Sequence, residues 1–201
     1  MTNEEKKVLQ DEFENNDYNF NQKIYDEITK LLKQQRYGDE SKIVDKIIKI
    51  FPKNTDLTEV YTKVVIVNTT HTAGVHRIDC IKVAKDIVNF DKFDERLANG
   101  DIKLVDELIE QTYKNTQKHQ WSFYTKYLTC HNKSFSKYDS FVGKHVKERS
   151  EVLGLEKFQT CVGKFYENYY NAITKIIKED GFQDRQIFDT FIWGLYKEEK
   201  E

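Results

Sequence analysis

The pattern of hydrophobic and polar positions along this chain is typical of amphipathic helices. From Tyr18 onward, apolar residues recur every three or four positions, which gives each predicted helix one apolar face. The third helix can be capped by Asp56 and ends in the β-branched run VYTKVVIV, which could also form a buried strand. No second run of similar quality is available to pair with such a strand, so we interpret this run as a core helix. The pattern predicts an all-α fold.

Breaks in the pattern predict where the helices end. Asn68–Gly74 is a polar turn after the third helix, and Thr112–His119 is a polar and basic loop. A long aromatic-rich helix is predicted from Phe158 and ends at Gly181, because glycine readily adopts the conformation that closes helices. Residues 1–17 are polar and mostly acidic, and we expect them to form a flexible N-terminus.

Composition supports this fold class and indicates the kind of compartment in which the protein is found. Residues 18–201 are enough for one helical domain of two lobes with a sizeable core. One proline and eight glycines are too few for an all-β protein with many tight turns. Cys80, Cys130 and Cys161 lie far apart, which favours a reducing compartment over a disulfide framework. Because no apolar run approaches about 20 residues and the N-terminus is unlike a signal peptide, we expect a cytoplasmic protein without a membrane span.

The distribution of charge along the chain is strongly asymmetric. Gln111–Ser150 carries a net charge of +6, so with −2 for the whole chain the remainder carries −8. Aromatic residues are interleaved with the basic ones, a combination that suits a surface that neutralises phosphates and stacks on bases. The alternative is a solvated helix face over buried rings. A local patch sets the field at a contact, so the negative overall charge does not exclude DNA as a partner.

A lysine lies on an apolar helix face in the middle of this basic segment. Phe123, Lys126, Tyr127 and Cys130 share one face of a helix that Ser122 is predicted to cap. Burial disfavours a charged amine, and a partly neutral amine is a nucleophile for carbon centres. The alternative is that Lys126 reaches solvent along its methylene stem.

An aspartate marks the start of the next helix. Asp139 precedes the helical run SFVGKHV, where its side chain can accept hydrogen bonds from backbone amides as an N-cap. The same amides and the helix dipole favour an ionised carboxylate. Besides capping the helix, Asp139 could therefore stabilise a developing cation or orient a water molecule.

These segments resemble the helix-hairpin-helix DNA glycosylase superfamily, which includes endonuclease III and 8-oxoguanine glycosylase. SFYTKYL is similar to the family's segment with the catalytic lysine, and KYDSFVGKHV to its segment with the catalytic aspartate. The upstream stretch VYTKVVIVNTTHTAGVHRIDCIKVAKDI is similar to the family's early helix pair, joined by a polar turn that approaches DNA. The resemblance implies a two-lobed helical fold and a base-excision glycosylase, with or without lyase activity, that acts on a flipped damaged or modified base.

The resemblance also implies roles for individual residues. Lys126 would be the nucleophile that forms a Schiff base at the sugar C1′, and Asp139 would stabilise the oxocarbenium-like sugar. Some of the polar residues of the upstream turn would probe the duplex: Asn68, Thr69, Thr70 and His71. From the basic pattern, further DNA contacts are expected at Lys114, Lys118, His119, Lys137 and Lys144. From the aromatic pattern, a base pocket is expected at Trp121, Phe123 and Tyr127.

The sequence departs from the family at the hairpin. QKHQWSFYTK lacks the glycines whose backbone amides hold a phosphate, and the interval from Lys126 to Asp139 is several residues shorter. Either Lys114, Lys118 and His119 contact phosphate instead, or this is a non-catalytic DNA-binding or protein-interaction protein that keeps the fold. The paired spacing of zinc ligands is not present in the sequence, so neither a metal nor a cofactor is expected.

Overall fold

The structure, a computed structural model, describes residues 3–34, 37–155 and 164–196. All regular secondary structure in these ranges is helical, which confirms the prediction of an all-α fold for them. The helices are α1 Asn3–Asn15, α2 Gln22–Gln34, α3 Tyr37–Ile50, α4 Leu57–Thr70, α5 Cys80–Val88, α6 Phe93–Ala98, α7 Lys103–Thr116, α8 Trp121–His131, α9 Ser140–Val152, α10 Phe165–Glu179 and α11 Arg185–Tyr196. A short 3-10 helix, Arg77–Asp79, precedes α5.

The chain divides into two compact units. The described residues of unit 1 fall within Met1–Gly38, Asp139–Phe158 and Asn171–Glu201. Those of unit 2 fall within Asp39–Tyr138 and Gln159–Tyr170. Each unit buries a set of large apolar side chains of its own.

Unit 1 is built around aromatic side chains. Phe13 of α1 is fully buried and packs edge-on against Phe191 of α11, with ring centroids 4.9 Å apart. α11 can lie directly against α2 because Gly194 has no side chain, and a Cβ at that position would overlap Ile28. The sequence predicted a flexible N-terminus over residues 1–17, whereas the described part of this segment contains α1. Its buried Phe13 anchors this helix in the core of unit 1.

Unit 2 has its core among α4, α5, α7 and α8. The run that could have formed a strand is part of α4, and Val60, Val64 and Val67 are its buried apolar residues. Asp56 caps this helix as predicted, since its carboxylate accepts hydrogen bonds from two backbone amides of the first turn. The helical interpretation of this run is therefore confirmed.

One predicted loop is mostly helix. Thr112–His119 was expected to be a loop, but α7 continues to Thr116. The polar character of the segment was misleading because Thr112 is fully buried and its hydroxyl hydrogen-bonds with that of Tyr124 on α8. The Tyr124 hydroxyl thus provides a buried hydrogen-bond partner for Thr112, whose polarity in the sequence had suggested exposure to solvent.

The start of α8 also differs from the prediction. α8 begins at Trp121, and the residue before it, Gln120, makes no side-chain capping bond. Ser122 therefore lies inside the first turn instead of capping it. Phe158, the predicted start of the aromatic-rich helix, lies outside the described residues, and α10 is described from Phe165. Among the described residues, no helix combines the length and apolar character that crossing a membrane requires.

Candidate functional site

The amine of Lys126 ends against the turn that follows α4. Lys126 lies in the middle of α8, between Thr125 and Tyr127, which are both fully buried, and only 7% of it is exposed. Its Nζ donates a hydrogen bond to the main-chain oxygen of His71 at 3.1 Å. The side chain therefore stays within unit 2 instead of extending along its stem into solvent. Two residues that the sequence predicted for the site are thus brought together.

The turn that carries His71 is fixed by Asn68 in the last turn of α4. The Asn68 amide donates to the main-chain oxygen of Val75 and accepts from its amide, both at 2.9 Å. The turn passes through the left-handed conformation at Thr72 and again at Gly74, with φ of 48° and 81°. Asn68 was predicted to probe DNA, and in the structure its side chain holds the turn together.

The turn was predicted from Asn68, but α4 continues to Thr70, so Thr69 and Thr70 are the last residues of the helix and bond back within it. The hydroxyl of Thr69 donates to the main-chain oxygen of Val65 at 2.8 Å, and that of Thr70 donates to Ile66 at 2.9 Å. Thr69 is exposed and Thr70 is half-buried. Of these two predicted DNA contacts, Thr69 is the more accessible.

Three lysines influence the His71 imidazole. Its pKa is lowered to about 3, mainly by burial and then by the positive charges of Lys137, Lys126 and Lys133, in that order. The imidazole Nε2 lies 3.4 Å from Sγ of Cys130, and burial raises the pKa of this thiol. At neutral pH the imidazole and the thiol are therefore both uncharged, and they lie near three lysine side chains. In the described ranges, no group of three or more His, Cys, Asp or Glu side chains could hold a metal ion.

Asp139 is the N-cap of α9 and belongs to unit 1, whereas Lys126 belongs to unit 2. One carboxylate oxygen, Oδ1, accepts hydrogen bonds from the backbone amides of Phe141 and Val142, both at 3.0 Å. The predicted capping role is confirmed by these two bonds. The carboxylate is half-buried at the positive end of a helix dipole.

Two of the three rings predicted for a base pocket are core residues. Phe123 and Tyr127 are fully buried, and the Tyr127 hydroxyl donates to Oδ1 of Asn54 at 2.6 Å. A side chain without exposed surface cannot stack on an extruded base, so these two rings act in packing and not in a pocket. Trp121 is half-buried and packs on Phe165, with ring centroids 4.4 Å apart. The sequence did not distinguish these rings because all three lie in one aromatic run.

An aromatic stack lies at the junction of α7 and α8. The rings of Tyr113 and His119 are nearly parallel, 9° apart in plane and 4.3 Å between centroids. The ring of Trp121 also stacks with the imidazole, with centroids 6.0 Å apart and planes 24° apart. Tyr113 was not predicted as a site residue, because its segment was expected to be a loop and no sequence pattern pairs it with His119.

The predicted lysine contacts have different surroundings. Lys114 is exposed, and Lys118 is exposed with its Nζ 3.5 Å from a carboxylate oxygen of Asp79. Lys137 is half-buried near His71. Lys144 belongs to unit 1 and lies 3.9 Å from Glu148 on α9. Asp79, which lies outside Gln111–Ser150, therefore partly neutralises the basic segment.

The sequence analysis missed a second buried lysine. Lys63 of α4 is 1% exposed, and its Nζ donates to the main-chain oxygens of Phe51 and Lys53 and to Oδ1 of Asn54, at 3.0, 2.6 and 2.7 Å. Burial lowers its pKa to about 8, against the opposing influence of Asp94. Three acceptors saturate the ammonium, which indicates a structural role. Its position in the apolar run VYTKVVIV was a signal that could have revealed it.

The fold and the site define an all-helical protein of two compact units with a largely buried lysine held against a polar interhelical turn. Residues 6–135 match the HI_0787_N family model, described as an N-terminal domain, and the chain belongs to this family. The matched range contains Lys126 and the turn after α4, and it ends before Asp139.

An uncharacterized protein of Haemophilus influenzae is 36% identical over 117 residues, which cover 58% of this chain and 56% of that protein. The aligned part of the chain thus spans little more than half the length of that relative. No solved structure matches the chain.

Proposed function

We propose that this protein is a DNA base-excision glycosylase in which Lys126 is the nucleophile. What supports the proposal is the setting of the Lys126 amine, which is 7% exposed and held on the carbonyl of His71. Lys133 and Lys137 lie close enough to influence the same imidazole. Desolvation and neighbouring cations are the conditions under which a lysine amine becomes an effective nucleophile.

The proposed reaction takes place at the deoxyribose of a flipped nucleotide. The Lys126 amine attacks C1′ as the bond from C1′ to the base breaks, and the base leaves with the bonding electron pair and acquires a proton. Opening of the sugar ring then gives an imine between Nζ and C1′. Hydrolysis of the imine releases an abasic site, and elimination of the 3′ phosphate before hydrolysis would cleave the strand.

Asp139 is proposed to stabilise the positive charge that develops on the sugar. A carboxylate at a helix N-terminus favours its ionised form, which is the form that this role requires. The role is distinct from capping, because a neutral amide can cap a helix but cannot balance a cation.

Borohydride trapping tests the proposal. The chain is incubated with duplexes that each carry one uracil, oxidised purine, oxidised pyrimidine or abasic site, and borohydride reduces any imine to a stable covalent adduct. We expect an adduct on at least one duplex. Lys126→Arg should abolish it while keeping the positive charge, and Lys85→Arg, at an exposed lysine with no proposed role, is the control that should retain it. Absence of base release and of adduct on every duplex would refute the proposal.

A second function is favoured by a specific observation. The Lys126 amine already donates to the His71 carbonyl, so it must leave that partner before it can attack a sugar. This arrangement suits a non-catalytic DNA-binding protein in which the lysine is structural. Salt-sensitive binding to all duplexes without adduct or base release would support this alternative. Absence of DNA binding at low salt would instead indicate a protein-interaction role. For each of these functions, we propose that the protein is cytoplasmic.

A further inference from the structure

The aromatic stack of Tyr113, His119 and Trp121 is open at one end among the described residues. At the Trp121 end, the indole packs on Phe165, with ring centroids 4.4 Å apart and planes tilted by 59°. At the other end, Tyr113 is 38% exposed, and the stacking contact described for its ring is with His119. The terminal ring of the stack is therefore a large aromatic side chain that keeps more than a third of its surface in solvent.

The backbone between the stacked rings is fixed by a residue in the left-handed helical conformation. Gln117 follows α7 with φ of 57°, and its backbone amide donates to the main-chain oxygen of Tyr113 at 2.8 Å. This turn brings His119 back over Tyr113. The imidazole is thus placed by a closed helix end, and the stack is a built feature of the α7–α8 junction.

The charged groups around the stack favour an anionic ligand with flat rings. Lys114 follows Tyr113 in the chain and Lys118 precedes His119, and both lysines are exposed. Asp79 lies 3.5 Å from the Lys118 amine and is shared with Lys82 at 3.2 Å, so this carboxylate is outnumbered by ammonium groups. An aromatic ring can stack on a nucleobase, and lysines nearby can bind the phosphates that link one base to the next.

We propose that the exposed face of Tyr113 stacks on an unpaired nucleobase of DNA, with Lys114 and Lys118 facing the adjacent phosphates. This site differs from the proposed catalytic lysine. Trp121 and Lys126 are five positions apart on α8, which places them roughly 140° apart around the helix axis. The inference therefore goes beyond the proposed function, and a protein without glycosylase activity could use the same platform.

Two oligonucleotides that differ only in their bases test this platform. Binding is measured by fluorescence anisotropy at low salt with a labelled thymine octamer and with an octamer of abasic residues that carries the same phosphates. We expect the thymine octamer to bind about tenfold more tightly, because one base stacked on an aromatic side chain contributes on that scale. Equal affinities for the two octamers, or no binding to either, would overturn the proposal.

Substitutions at Tyr113 locate the site. Tyr113→Leu should remove the preference for the thymine octamer and leave the affinity for the abasic octamer unchanged, whereas Tyr113→Phe keeps the ring and should retain the preference. A preference that survives in a folded Tyr113→Leu protein would also overturn the proposal. Lys126→Arg should retain the preference for the thymine octamer. The binding assay therefore tests base stacking independently of the borohydride trapping assay.

An intrinsic probe provides a second readout. The chain has two tryptophans, so a Trp193→Phe protein reports on Trp121 alone. Thymine octamer should change the Trp121 emission through the stacked His119 and Tyr113 rings, and the abasic octamer should change it much less. Identical responses to both oligonucleotides would contradict stacking at this site.

Discussion

The Nζ of Lys126 donates to the main-chain oxygen of His71, 55 residues earlier in the chain, at 3.1 Å. This bond connects α8 to the turn that closes α4. A hydrogen bond from a charged group contributes about 1.5–3 kcal/mol, so the lysine helps to fix the turn as well as its own side chain. Any nucleophilic role requires the amine to exchange this partner for a substrate atom. The catalytic hypothesis thus depends on the turn's ability to release Lys126.

The turn should therefore be sensitive to Asn68. Asn68→Ala removes both hydrogen bonds to the Val75 backbone and should lower the free energy of unfolding by about 1–3 kcal/mol. Asn68→Asp keeps the acceptor for the Val75 amide and should cost less. Urea denaturation measures both changes. A loss of DNA affinity in Asn68→Ala without any loss of stability would instead support the duplex-probing role.

Asp139 offers a test that separates capping from charge. Asp139→Asn keeps an N-cap acceptor for the amides of Phe141 and Val142 and should leave stability nearly unchanged. Asp139→Ala removes the cap and should destabilise the protein by about 1 kcal/mol. Both variants should lose base release if the carboxylate balances a sugar cation. Full base release by Asp139→Asn would show that the residue is only a cap.

Stability should fall in acid through buried histidines. His145 of α9 is 4% exposed among the rings of Phe13, Tyr18 and Tyr196, and burial, followed by Arg149, lowers its pKa to about 3. The unfolded chain binds this proton near its ordinary pKa of about 6.5, whereas the folded protein binds it only near 3. The contribution of neutral His145 to the free energy of unfolding is therefore fully present above about pH 6.5 and is lost as the pH falls towards 3.

The matched variant for this effect is His145→Phe. The imidazole Nε2 has no hydrogen-bond partner among the described residues, so an apolar ring should be neutral or stabilising at pH 7. Below about pH 6.5, the free energy of unfolding should decline less steeply in the variant, by up to about 1.4 kcal/mol per pH unit. Denaturation curves between pH 4 and 8 would show this difference, and parallel curves would contradict it.

Lys63 should be the lysine that matters most for stability. Lys63→Met removes donors from two main-chain oxygens and from Asn54 in a buried place, and should cost about 3 kcal/mol or more. Lys144→Met is the control, because that amine is exposed and 3.9 Å from Glu148, and it should change stability by less than about 0.5 kcal/mol. Similar melting temperatures for the two variants would argue against the buried network.

Local features of the structure were predictable because they depend on residues within one or two helical turns. The all-α fold followed from apolar spacing, and the caps Asp56 and Asp139 followed from side chains that bond to amides two or three residues ahead. Lys126 was recognised from its neighbours on one helix face, and the structure buries it there. Prediction was weakest where the polarity of a segment was taken as exposure, as at Thr112.

The sequence by itself determined the helical class of the fold, the caps Asp56 and Asp139, and the presence of an amine on an apolar face. Only the tertiary structure decided which groups meet: the Lys126 amine with the His71 carbonyl, Tyr113 with His119, and Lys63 with Asn54. It also decided that Phe123 and Tyr127 are core rings while Trp121 is half-buried at the edge. The physical reason is that periodicity and capping act over a few residues, whereas these contacts and burials depend on how helices distant in sequence pack together.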